Sequence, residues 1–276
     1  MADTRPVTAA KRRAFHDLHQ GGCFVLPNPW DVGSARYLQS LGFKALATTS
    51  SGFAWSKGRP DGGISRDTAL AHLHEMVAAT ELPVNADFES GFSADAAGVA
   101  ESVRLACETA VAGLSIEDST GDAASPLYDL DAAVERVRAA RDAIDKAGGD
   151  ALLVGRAECF LVGRPDLEET IARLKAYAQA GADCLYAPGI HTPEQIRAVV
   201  AAAAPKPVNL LVGSASQLTV PEIAALGVRR ISVGGALARA AWGGFMRAAR
   251  MLAEEGRFDG FANAASGKEL NSLFGK

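Results

Sequence analysis

Two carboxylates close the short apolar run Pro83-Val84-Asn85-Ala86-Asp87-Phe88-Glu89-Ser90-Gly91-Phe92. On a strand, their i, i+2 spacing puts Asp87 and Glu89 on one face. Like charges side by side repel, so the pair calls for a cation, an arginine or a shared proton. Two other apolar runs end in suitable partners: one in Glu117-Asp118, the other in Arg156, with Glu158 two residues on. Carboxylates gathered from Asp87, Glu89 and Glu117, with Asp61 above them, make an all-oxygen donor set. Such a set suits a hard cation, Mg2+ or Mn2+, rather than zinc. The alternative is that Asp87 and Glu117 pair with Arg156 and cap helices. Arg156 suits bidentate binding of a substrate carboxylate, or neutralisation of the acids.

Such residues converge only if the elements carrying them lie side by side. Short apolar or β-branched runs alternate with longer alanine-rich helical segments along the whole chain. Eight strands are expected at Cys23–Pro27, Ala45–Thr49, Val84–Phe88, Gly113–Glu117, Leu152–Arg156, Cys184–Ala187, Val208–Val212 and Arg230–Val233. Helices are expected at Asp31–Leu41, Ser65–Thr80, Ala94–Ala112, Leu130–Ala147, Asp166–Ala180, Thr192–Ala203 and Pro221–Leu226. Several close on glycine before the next strand, in LGF, AGL, AGA and LGV, the junction of a repeated βα unit. Eight such units with no linker or composition break predict one (β/α)8 TIM-type barrel over residues 1–276. An open doubly wound sheet is the rival, but no GxGxxG follows the first strand. An amphipathic helix is expected at residues 7–19. The tail over about 236–276 exceeds one closing helix, so it is expected to pack on a neighbouring subunit.

In such barrels the chemistry sits at the C-terminal strand ends. Those ends also carry Asn28, Trp30 and Asp31 after strand one, the Ser50-Ser51-Gly52 turn after strand two, Asn209 and Ser214 on and after strand seven, and Gly234-Gly235 after strand eight. Backbone N–H groups of a small-residue turn hold anionic oxygens, although such a turn is also an ordinary tight loop. Cys159 reads as a packed small apolar residue rather than a nucleophile. His72 and His74 lie on a helix and are expected to be solvated. Trp55 either covers the site or packs.

Composition narrows the class. The chain is 48% hydrophobic and 22% charged, which fits a globular enzyme-sized domain. Its 28 basic and 32 acidic residues give a net charge of −4, with no basic stripe for nucleic acid and no long apolar run for a membrane span. The N-terminal segment lacks the apolar centre of a signal peptide. The cysteines, Cys23, Cys107, Cys159 and Cys184, are scattered and contain no CxxC, so free buried thiols and a cytoplasmic location are expected.

Taken together, these motifs resemble the isocitrate lyase/phosphoenolpyruvate mutase superfamily. The resemblance runs from Leu26 to about Arg250. It rests on LPNPWDVGSARYLQSLGFKALATTSSG, GRPDGG, NADFESGF, GLSIEDS and GRAECFLVG. It implies a barrel whose eighth helix is exchanged between subunits of a dimer or tetramer. It implies Mg2+, with Mn2+ as an alternative, held chiefly at Asp87, with Asp61, Glu89 and Glu117 acting directly or through water. It implies a small 2-oxo or 2-hydroxy carboxylate, bound by Trp30, Asp31, Ser51, Gly52, Phe53, Arg156 and Asn209. The catalytic set would be Arg156, Asp61 and Glu117. The implied reaction is cleavage of a carbon–carbon bond, or decarboxylation, through an enolate-like species. The superfamily's lyases carry a K-[KR]-C-G-H loop after strand four. Here that loop reads EDSTGDAASPLYDLD, with no cysteine, lysine or histidine. A phosphonomutase would carry lysine and asparagine there, and a histidine where Pro188 stands. The RAE at strand five is similar to the mutase and phosphonopyruvate-hydrolase branch. Carbon–phosphorus chemistry, or oxo-acid binding without turnover, are the alternatives.

Overall fold

The computed structural model describes residues 5–275. The first four residues, and Lys276 at the end of the expected exchanged segment, lie outside the described residues. Eight parallel strands form one nearly closed sheet in the order β1-β8-β7-β6-β5-β4-β3-β2. They are β1 Phe24–Leu26, β2 Leu46–Ala47, β3 Val84–Asp87, β4 Gly113–Glu117, β5 Leu152–Arg156, β6 Cys184–Tyr186, β7 Val208–Leu211 and β8 Arg230–Ser232. Between β1 and β2 the ring is closed by the Ala47 N–H donating to the Pro27 carbonyl at 3.1 Å. Asn28 spans the same seam. Its Nδ2 donates to the Thr48 carbonyl at 2.8 Å, and its Oδ1 accepts from the Val233 and Gly234 N–H groups, each at 2.9 Å. The fold is the (β/α)8 barrel that the alternating pattern predicts.

The helices are α1 Arg5–Gln20, α2 Val32–Ser40, α3 Ser50–Ser56, α4 Arg66–Ala78, α5 Ala96–Glu108, α6 Leu130–Lys146, α7 Leu167–Gln179, α8 Pro193–Ala203, α9 Val220–Ala225, α10 Ala236–Glu255 and α11 Gly267–Phe274. Side-chain caps start most of them. Asp31, Ser65, Asp95, Asp166 and Thr192 each accept a backbone N–H of the first turn, satisfying a donor that the helix leaves free. Helix α5 stops at Glu108, four residues short of the expected end, because Ala110 takes the left-handed conformation at φ 66°. Gly113 then belongs to β4, where a Cβ would meet the Leu152 carbonyl at 2.8 Å.

Two apolar layers hold the barrel. Outside it, Val99, Val103, Val137, Ile144, Leu174 and Tyr177 pack between the helices and the sheet. Inside, Phe15 of α1 plugs the N-terminal end against Leu26, Ala45, Leu152 and Cys184. Fully burying a side chain such as Phe15 contributes roughly 1.5–3 kcal/mol. The floor is therefore sealed, and the loops after the strands are left to build a site.

Candidate active site

Arg156, the last residue of β5, lies at the centre of the strand-end acids. Its Nη1 is 3.1 Å from Asp87 Oδ1 and 3.3 Å from Glu117 Oε2, and its Nε donates to Glu158 Oε1. Its guanidinium also lies 5.1 Å from the Tyr186 ring centroid, a cation–π contact. The sheet register explains the meeting, because Glu117 pairs with Arg156 and Arg156 with Tyr186 across adjacent strands.

Asp87 is held from β2 as well. Its backbone N–H donates to Thr48 Oγ1, and its Oδ2 accepts from both the N–H and the hydroxyl of Ser50, all at 2.9 Å. Ser50-Ser51-Gly52 is a helix start and not the small-residue turn expected. Thr49 caps Gly52 N–H, and Ser50 begins the seven-residue helix α3. The N–H groups of Ser50 and Gly52 are thus engaged by Asp87 and Thr49, while Ser51 lines the cavity.

Strand β3 ends at Asp87, so the strand-face relation expected of Asp87 and Glu89 does not hold. Glu89 sits in the following turn with φ 48°, and its carbonyl accepts the Glu117 N–H at 3.0 Å. Arg136 fixes the same loop from α6. Its Nη1 donates to the Ala94 carbonyl at 2.9 Å, and its Nη2 donates to the Ser93 carbonyl at 2.8 Å and to that of Ser90. Glu89 still lines a hollow together with Asp87, and burial and the Asp87 and Asp61 charges push its carboxyl up to about 7. Partial desolvation and Asp87 also raise Asp61, the most exposed member. Burial raises Glu117 well above the usual carboxylate range, against the opposing pull of Arg156.

Among the described residues, no group of three or more His, Cys, Asp or Glu side chains is gathered closely enough to cage a metal ion. The expected four-carboxylate platform is instead split. Asp87 and Glu117 meet on Arg156, while Asp61 and Glu89 act on Asp87 through their charges. The donor set nonetheless fits Mg2+, which keeps several waters and takes one or two carboxylates directly. Five carboxylates (Asp61, Asp87, Glu89, Glu117, Glu158) face one guanidinium, so ionising all of them leaves a local charge of −5 + 1 = −4. Burial, with that crowding added, raises Asp61, Glu89, Glu117 and Glu158, and a divalent cation would relieve the crowding.

The cluster opens onto a cavity of about 170 Å3, lined among others by Ser51, Asp61, Asp87, Arg156, Tyr186 and Arg230. Other expected binding residues lie elsewhere. Trp30 and Asp31 border a larger groove of about 1050 Å3 between α2 and α11, and Asp31 spends its carboxylate capping α2. Phe53 stacks on His72 at 3.7 Å between centroids. His72 is therefore buried between α3 and α4, not solvated as expected, whereas His74 is exposed. Asn209 is fully buried, donating to Ser232 Oγ at 2.9 Å and accepting from Arg230 Nε at 2.8 Å. Gly52 is closely packed, and a Cβ there would meet Thr49 Cγ2 at 2.7 Å and Trp30 Cβ at 3.0 Å. The thiols are free and buried except for the half-buried Cys23; Cys159 has no exposure.

Three roles were not expected from the sequence. Asp118 lies behind the site, not in it. Its Oδ1 accepts the Glu158 N–H at 2.8 Å, and its Oδ2 accepts from Arg173 at 3.1 Å and from the Tyr177 hydroxyl, which fixes the segment after Arg156. Ser50 is a partner of Asp87. Arg230, buried inside β8, was signalled by a charge within an apolar strand.

The chain belongs to the phosphoenolpyruvate phosphomutase family, whose model matches residues 15–253, within the isocitrate lyase/phosphoenolpyruvate mutase superfamily. A provisionally assigned lyase/mutase from Burkholderia cenocepacia J2315 has a similar structure. It is 50% identical with a TM-score of 0.95, covering 98% of each chain. The oxaloacetate decarboxylase of Paraburkholderia xenovorans (strain LB400) is 30% identical over 200 residues, 70% of this chain and 65% of that protein. Oxaloacetate acetylhydrolase, solved with its product oxalate, is 27% identical with a TM-score of 0.83, over 97% of this chain and 94% of that one. Among the described residues, no helix is long and apolar enough to cross a membrane.

Proposed function

We propose that the protein is a Mg2+-dependent lyase that cleaves a carbon–carbon bond, or decarboxylates, in a small 2-oxo or 2-hydroxy di- or tricarboxylate. The observation that carries this reading is Arg156, fixed among Asp87, Glu117 and Glu158 at the wall of a small polar cavity. The relatives named for oxaloacetate chemistry support the substrate class. Arg156 and the Ser51 N–H and hydroxyl bind and orient the oxo-acid head. Asp87 would hold the cation, assisted by Glu117, Asp61 and Glu89, and Ser50 holds Asp87 in place. A cation at that position supplies Lewis-acid polarisation of the substrate carbonyl. When the bond next to the carbonyl breaks, its electron pair moves toward the carbonyl oxygen. The departing fragment leaves as CO2 from a 2-oxo acid, or as a carbonyl compound from a 2-hydroxy acid whose hydroxyl proton passes to Asp61 at the cavity wall, and Arg156 donates to the oxygen where charge builds. The enolate carbon then takes a proton. The strand-four loop offers no thiol for that step, so water or a hydroxyl at the cavity mouth supplies it.

Incubation with a panel of such acids, followed by NMR, tests the reading. Release of pyruvate, glyoxylate or succinate in Mg2+, lost in EDTA, is expected, and no turnover of any of the acids refutes lyase activity. Asp87→Ala is expected to abolish Mg2+-dependent ligand binding while the barrel stays folded. Unchanged binding removes Asp87 from the site. The phosphomutase description of the matching family model favours a second reading, carbon–phosphorus chemistry. Phosphate release from phosphonopyruvate discriminates it. Tight oxo-acid binding by calorimetry without turnover would identify a binding homologue instead.

The assembly we propose is a dimer or tetramer in which α10 packs on a partner subunit. Helix α10 leaves Leu237, Trp242, Phe245, Met246 and Leu252 exposed, a larger apolar face than a lone surface helix carries.

A further inference from the structure

We propose that Arg230, at the floor of the active-site cavity, binds a second carboxylate of the substrate and so sets the preference for diacids over monoacids. This rests on the oxo-acid reading of the cavity. Arg230 is 2% exposed and starts β8, yet its side chain crosses the barrel interior. Its Nε donates to Asn209 Oδ1 at 2.8 Å, and its Nη1 lies 3.5 Å from both Asn85 Oδ1 and His19 Nε2. Asn85 stands two residues before Asp87 on the same face of β3, so the guanidinium lies one layer below the catalytic carboxylates.

Every partner of that guanidinium among the described residues is neutral. Asn85 and Asn209 are amides. Burial and Arg230 itself keep His19 uncharged, pushed down to about 3. Burial pulls Arg230 down too, and no carboxylate relieves it. A buried cation without an anion is costly, and the contacts at 3.5 Å are weak ones. The neighbours that line the cavity with it are Asn85, Ser115, Tyr186 and Ser232, all able to hydrogen-bond a carboxylate oxygen. Tyr186 and Asn209 continue the register from Arg156 to Arg230 across β5 to β8. The two guanidiniums thus face one small cavity from different depths. Arg156 is committed to three carboxylates and Arg230 to none, which assigns the oxo-acid head to the upper level and the second carboxylate to the lower.

Calorimetry with lactate and malate in Mg2+ tests this, since the two share a 2-hydroxycarboxylate head and differ by one carboxylate. The wild-type protein is expected to bind malate at least tenfold more tightly than lactate. Arg230→Gln is expected to lose at least tenfold for malate while lactate stays within twofold. Arg230→Lys, which keeps the charge without the fork, falls between. Equal losses for both ligands, or no loss for either, overturn the proposal and leave Arg230 as a brace of the barrel floor. Thermal melting shows whether Arg230→Gln folds. If it does not, Arg230→Lys carries the same comparison, and loss confined to malate is still required. A wild-type protein that binds both ligands equally defeats the Arg230 assignment alone. One that binds neither defeats the underlying oxo-acid reading as well.

Discussion

Replacing Arg156 by glutamine separates the electrostatic frame of the site from its chemistry. The guanidinium touches Asp87, Glu117 and Glu158, whose side chains are 18%, 17% and 5% exposed. Removing one partner of a buried ion pair costs about 3–5 kcal/mol, because the other charge is left uncompensated. Here one substitution strands three carboxylates, which pushes the loss toward the upper figure. Proton uptake by the carboxylates caps it. Arg156→Gln is therefore expected to lose about 3–5 kcal/mol of stability in EDTA, a large share of the 5–15 kcal/mol of an ordinary domain. A cation that binds only the folded state restores about 2.7 kcal/mol at a hundredfold excess over its dissociation constant. Urea unfolding in EDTA and in excess Mg2+, followed by circular dichroism, measures both quantities. A loss below about 1 kcal/mol would mean the arginine does not compensate the acids. A variant whose midpoint Mg2+ does not raise would mean the acids do not hold the cation.

Further outcomes follow from other parts of the molecule. Burial and Lys57 hold His72 neutral in the fold, pushed down to about 4, while the unfolded chain takes its proton near 6.5. Its stabilisation is complete above pH 6.5 and is lost as pH falls toward 4. Lowering the pH from 7.5 to 5 should cost about 2 kcal/mol through this residue, and His72→Phe should remove that part of the slope in urea titrations; an unchanged slope refutes it. Sedimentation should find a dimer or tetramer, and Phe245→Glu, at a position 63% exposed in one chain, should shift it to monomer. A monomeric wild-type protein at micromolar concentration refutes the pairing. Gly52→Ala should cost about 1–3 kcal/mol by overpacking against Thr49 and Trp30, and should weaken oxo-acid binding by displacing Ser51. A neutral effect on both refutes that role for the close packing.

The barrel was legible because its period is written in each unit, with apolar runs and glycine-closed helices. The acids and Arg156 were legible because polar residues at the ends of buried strands have few structural reasons to be there. What stayed hidden depends on side-chain direction and on long-range partners. Glu89 leaves the strand because the turn at Phe88–Gly91 intervenes, which the i, i+2 pattern cannot express. Ser50 reads as a loop residue until Thr49 caps α3. His72 looks solvated on a helix of weak amphipathic pattern, and only the fold brings Phe53 onto its ring. Trp30 and Asp31 match the expected motif, yet within one chain they face the groove beside α11. Arg230 had a signal, a charge inside a core strand, but its neutral partners Asn85 and Asn209 lie 145 and 21 residues away in sequence.

The most direct test of the oxo-acid site is a crystal structure of the protein grown with Mg2+ and oxalate. Oxalate is expected in the cavity between Arg156 and Ser51, with the cation against Asp87. Oxalate in the groove between α2 and α11, or a cation bound away from Asp87 and Glu117, would contradict the account.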